Sequence, residues 1–129
     1  MKPKLILTLS SIIYFLRAVG LLVAPAKLFN MYGITLDKTG EWNGQFLGGV
    51  LLGIGVLNWL ARSLPEEEAL RKILIANLVL DSMGFLLSLK GTLDGLFGPP
   101  GWAPTIQHLI FVGLYGVLVF RKKSVSPIR

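Results

Sequence analysis

Cysteine is missing from all 129 residues, which excludes disulfides, thiolate metal sites, cysteine nucleophiles and thiol redox chemistry. Charge is scarce as well. Only 16% of the chain is Asp, Glu, Lys or Arg, where a soluble domain carries about a quarter. The single histidine, His108, is too few for a bis-histidine haem site within one chain. No segment keeps a strict alternation of apolar and polar residues, which argues against a transmembrane β-barrel.

Apolar side chains are what the chain has in excess, at 53% of residues. A soluble protein this small has too little interior to hide them, so lipid is the expected surrounding. Four apolar runs stand out, at about 5–24, 43–61, 71–89 and 104–120. Each is close to the roughly 20 residues needed to cross a hydrocarbon core as a helix. Breakers separate them: Pro25, Gly33 and Gly40, then Pro65, then Gly98, Pro99, Pro100 and Gly101. The expectation is one all-α domain over 1–129, an antiparallel four-helix transmembrane bundle.

The net charge of +6 comes from short basic clusters beside these runs, with no nucleic-acid motif. Such clusters orient a membrane protein and meet anionic headgroups. Counted outside the spans, nine basic residues fall on one side: Lys2, Lys4, Arg62, Arg71, Lys72, Arg121, Lys122, Lys123 and Arg129. Lys27, Lys38 and Lys90 make three on the other. Both termini are therefore expected in the cytoplasm, with Trp42 and Trp102 at the outer interface and Trp59 at the inner one. Lys2, Lys4 and an apolar run before Ala24-Pro25-Ala26 also outline a signal peptide. Arg17 interrupts that run, which favours a retained first span.

Charges inside a bilayer need a partner or a role. At about 1.5 Å of rise per residue, Arg17 and Asp81 lie roughly 18 and 16 Å from the same side. An Arg17–Asp81 ion pair is the economical expectation. Asn77 shares the face of Asp81, and Tyr14 and Tyr115 add hydroxyls at similar depth. This group reads either as a structural clasp between helices or as a mid-membrane pocket. In the second span Gly44, Gly48, Gly49, Gly53 and Gly55 give two interleaved small-xxx-small spacings, Gly44/Gly48 and Gly49/Gly53. They mark a helix-packing or homodimer face, not a phosphate loop, since no Lys-Ser/Thr follows. His108 and Gln107 near the start of the fourth span are an outer-side candidate for hydrogen bonding or ligand contact. Ser88 and His108 share the outer half, but no acid is aimed at His108; Asp94 is the nearest in sequence. No catalytic constellation and no metal site are read from the sequence.

Leu22-Val23-Ala24-Pro25, Tyr32-Gly33-Ile34 and Phe46-Leu47-Gly48-Gly49-Val50-Leu51-Leu52-Gly53-Ile54-Gly55 together resemble the DoxX-like group of small bacterial four-helix membrane proteins. The resemblance runs from about Leu21 to Phe120 and implies the same fold. Some members are linked to quinone-coupled oxidation of sulfur compounds as membrane subunits, and no catalytic residue carries over. Three functions are open. The first is a non-enzymatic module in the lipid bilayer, as a homo-oligomer or beside a partner subunit. The second is an accessory protein that needs no resident cofactor but binds a quinone-like or other lipophilic molecule. The third, an oligomeric transporter or channel, lacks the expected inverted repeats. The orientation is directly checkable. A reporter fused within Pro65–Glu68 should signal from the cytoplasm; a signal from outside the cell contradicts the charge reading.

Overall fold

A computed structural model describes residues 2–65 and 67–121 and is helical throughout, with no strand among the described residues. Glu66 and the basic residues Lys122, Lys123 and Arg129 counted for orientation lie outside them. Helix α1 spans Pro3–Val23, α2 Pro25–Asn30, α3 Lys38–Ala61, α4 Glu67–Leu93 and α5 Trp102–Phe120, the last preceded by a 3-10 turn at Pro99–Gly101. The second and third spans are longer than their apolar runs. Capping explains the first extension: the Asp37 side chain accepts from Gly40 N–H at 2.7 Å and starts α3 well before Asn43. Glu67 and Glu68 occupy the first turn of α4, and Lys90 pairs with Asp94 at its far end. The short α2 was not expected from the sequence. Pro25 opens it, pre-set for a first helical turn.

Two glycines end helices in the same way. Gly33 and Gly95 have φ of 81° and 73°, a left-handed conformation that glycine adopts without a Cβ penalty. The N–H groups of Gly33 and Ile34 donate to the carbonyls of Asn30 and Phe29, and those of Gly95 and Leu96 to Thr92 and Gly91. Both are Schellman closures. The two connections they launch then touch, through the Gly98 N–H to the Tyr32 carbonyl at 2.8 Å and an edge contact of the Tyr32 and Phe97 rings. This is the connection end of the bundle.

All four long helices are long and apolar enough to cross a membrane. Their side chains are arranged inside out relative to a soluble protein. Asp81, Asn58, Asn77, Ser10 and Ser11 are fully buried, while Leu16 is 70% and Val23 78% exposed. In lipid that distribution satisfies polar groups internally and leaves leucine against acyl chains. Packing is closest within two pairs, α1 with α3 and α4 with α5. Contacts step down α3 as they step up α1, from Ser10 at Asn58 to Leu22 at Gln45. Away from the connection end, Ile6, Leu7, Ala61, Leu74, Phe111, Tyr115 and Val119 close into an apolar core.

The glycines of α3 divide by face. A Cβ on Gly48 would meet Leu21 and Leu22 at 3.0 Å, on Gly44 Pro25 at 2.9 Å, and on Gly55 the Phe15 ring at 3.0 Å. These three let α1 and α2 approach closely. Gly49 and Gly53 have nothing within 4 Å, so the expected Gly49/Gly53 packing spacing is not used within the bundle. The stripe that packs is Gly44, Gly48, Gly55, Asn58 and Ala61, which follows the 3.6-residue period. Gly48→Leu should therefore lower stability in detergent by about 1–3 kcal/mol through overpacking, with Gly49→Leu and Gly53→Leu close to wild type. Equal losses at all three positions would contradict the assignment of faces.

Candidate functional site: a buried polar belt beneath an apolar cleft

All four long helices contribute polar side chains to one buried belt. Ser10, Ser11 and Tyr14 come from α1, Asn58 from α3, Asn77 and Asp81 from α4, and His108 and Tyr115 from α5. Asn58 and Asn77 form a reciprocal amide pair at 2.9 and 2.8 Å that joins α3 to α4. The Asn58 amide also donates to the Ser10 hydroxyl at 3.1 Å, and the Asn77 amide to the Ile73 carbonyl at 3.0 Å. The Ser11 hydroxyl donates to the Gly55 carbonyl at 2.7 Å, tying α1 to α3. Interhelical hydrogen bonds in membranes average about 0.6 kcal/mol. The belt therefore acts more by specifying which faces meet than by its summed energy.

Asp81 is wholly buried, with Oδ1 2.8 Å from His108 Nδ1. One hydrogen bridges Nδ1 and Oδ1, and the tautomer sets which of the two atoms donates it. The Tyr14 hydroxyl lies 3.4 Å from both carboxylate oxygens. Gly84 makes the contact possible, since a Cβ there would stand 2.7 Å from the His108 ring. The expected Arg17–Asp81 ion pair is not formed. Arg17 is half-buried and has no ion pair or hydrogen bond among the described residues. The reason is adjacency: α4 packs on α5, so His108 reaches Asp81 from the neighbouring helix, while α1 packs on α3. From α1 it is Tyr14, a turn before Arg17, that reaches the carboxylate.

The Tyr115 hydroxyl is buried in the belt beside Ser10. Gln107 is half-buried and takes no part in the belt. The Ser88 hydroxyl donates to the Phe85 carbonyl at 3.1 Å and not to His108. Among the described residues, no group of three His, Asp or Glu side chains is placed to hold a metal ion.

Toward the connection end the helices part into a cleft of about 210 Å³. Its walls are Leu21, Leu28, Phe29, Leu47, Leu51 and Phe97, with Tyr32, Ser88 and Pro104 completing them and Arg17 as the only charged group. The cleft sits directly above the belt. Tyr14 and Arg17, Asp81 and Ser88, and His108 and Pro104 are one or two turns apart on the same helices. Phe97 roofs it, seated where Gly91 and Gly101 lack side chains: a Cβ on either would fall 2.4 Å from its atoms.

Sequence reasoning missed Asn58, Ser10, Ser11 and Gly84. One signal was available: Gly44, Gly48, Gly55 and Asn58 share one helical stripe, and that stripe ends on an amide. No protein-family model, curated protein or solved structure matches this chain. The belt's geometry has a measurable consequence. Asn58→Leu or Asn77→Leu alone strands the other amide and should cost about 1–3 kcal/mol. The double variant should recover most of that loss in a detergent unfolding cycle; strictly additive losses would contradict the pair.

Proposed function

We propose that this chain is a non-catalytic, multi-pass protein of the cell membrane whose cleft holds a lipophilic small molecule. The observation that carries the reading is the cleft itself, an apolar hollow of about 210 Å³ between the helices. Pockets for small ligands combine apolar walls with a few polar groups, and they occur between the helices of bundles. Here the polar groups are Arg17, Tyr32 and Ser88. The helices run antiparallel with both termini in the cytoplasm, a reading supported by the nine-to-three distribution of basic residues. The resemblance to the DoxX-like group agrees with a lipophilic ligand, a quinone-like ring among the candidates.

A second reading is favoured by the open face of α3. Gly49 and Gly53 meet nothing within the bundle, and small residues spaced by four suit a second helix from another copy or a partner subunit. The two readings are compatible, because that face and the cleft involve different sides of α3. A transporter is the weakest reading, since the four long helices are continuous.

Filling the cleft tests the ligand reading. In phosphatidylcholine nanodiscs, wild type should bind the neutral probe para-propylbenzyl alcohol saturably. Ser88→Phe, which puts a ring into the cleft, should weaken that binding about ten-fold or more. Equal affinity in the two proteins would contradict a ligand site in the cleft.

A further inference from the structure

We propose that the cleft selects a small lipophilic carboxylate, a one-ring or short-chain organic acid whose headgroup pairs with Arg17. This rests on the cleft being a ligand site and names the class of ligand. Among the described residues Arg17 is the only charged side chain lining the cleft, and no acid pairs with it. The acid expected to neutralise it is committed elsewhere, because Asp81 is hydrogen-bonded to His108 and lies beside the Tyr14 hydroxyl. An uncompensated charge within an apolar setting is costly, and an anion entering from the membrane relieves it.

Chemistry and size narrow the class. A guanidinium is a planar fork that meets a carboxylate through two parallel hydrogen bonds, stronger where water is excluded. The walls around it are leucines and the rings of Phe29, Tyr32 and Phe97, which suit an aryl or alkyl body. An apolar cavity of about 150 Å³ takes benzene. At about 210 Å³ the cleft has room for one ring or a short chain with its headgroup. A two-chain phospholipid is too large. Ser88 and the Tyr32 ring lie on the same lining, so polarity clusters at a few points within an otherwise apolar surface.

The test compares para-propylbenzoate with para-propylbenzyl alcohol by calorimetry on the full chain in phosphatidylcholine nanodiscs. Wild type should prefer the acid about ten-fold or more. Arg17→Gln should lose that preference while keeping its affinity for the alcohol, and Arg17→Lys should keep part of it. Adding a minor fraction of phosphatidylglycerol should leave benzoate affinity unchanged. Equal binding of acid and alcohol to wild type overturns the anion selectivity and leaves the ligand reading standing. Loss of benzoate binding to phosphatidylglycerol overturns it too, making Arg17 a lipid-headgroup seat. If neither probe binds wild type, both readings fall together.

Discussion

Lipid offers no hydrogen bonds, so a polar side chain within a membrane helix must find its partner inside the protein. That constraint organises this bundle. The interior is polar at mid-length, and each of the four long helices contributes to it. The pairs α1–α3 and α4–α5 approach closely by van der Waals packing, helped by Gly44, Gly48 and Gly55 on one interface and Gly84 on the other. Between the pairs the backbones are farther apart. There the Asn58–Asn77 amides and the Tyr14 hydroxyl beside Asp81 span the gap. Close packing decides the neighbours within a pair, and polar pairing decides how one pair faces the other.

The bundle is layered along its length in consequence. Ile6, Leu7, Leu74, Phe111 and Val119 fill one half, the polar belt crosses the middle, and the cleft opens in the half nearest the connections. Two Schellman glycines bring those connections together through Tyr32 and Gly98, and Phe97 closes over the space between. The cavity lies between the polar belt and a folded roof, and among the described residues Arg17 is the one charged group lining it. The one acid Arg17 was expected to meet, Asp81, is already engaged by His108.

Much of this was legible in the sequence and some of it was not, for physical reasons. The four helices follow from long apolar runs, and the buried positions of Asp81, Asn77, Tyr14 and Tyr115 follow from the cost of polarity in lipid. Depth could be counted from residue number; rotation about the helix axis and the choice of neighbours could not. Equal depth therefore suggested Arg17 for Asp81, whereas α4 packing on α5 presents His108. Spacing by four was likewise ambiguous on α3, where two glycine pairs lie side by side and the Gly44/Gly48 pair, not Gly49/Gly53, faces α1 and α2. The start of α3 was legible only through Asp37 as a cap, since its first turn is polar and lies outside the apolar run.

The identity of the partner of Asp81 is the central claim, and the chain suits a direct measurement because His108 is its only histidine. With nitrogen-15 in histidine and arginine and carbon-13 in aspartate, solid-state NMR in bilayers reads dipolar couplings to the Asp81 carboxyl carbon. The account predicts a strong coupling from His108 Nδ1, whose distance to the carboxylate oxygen is 2.8 Å, and none from the Arg17 guanidinium. A strong Arg17 coupling with His108 silent would contradict it.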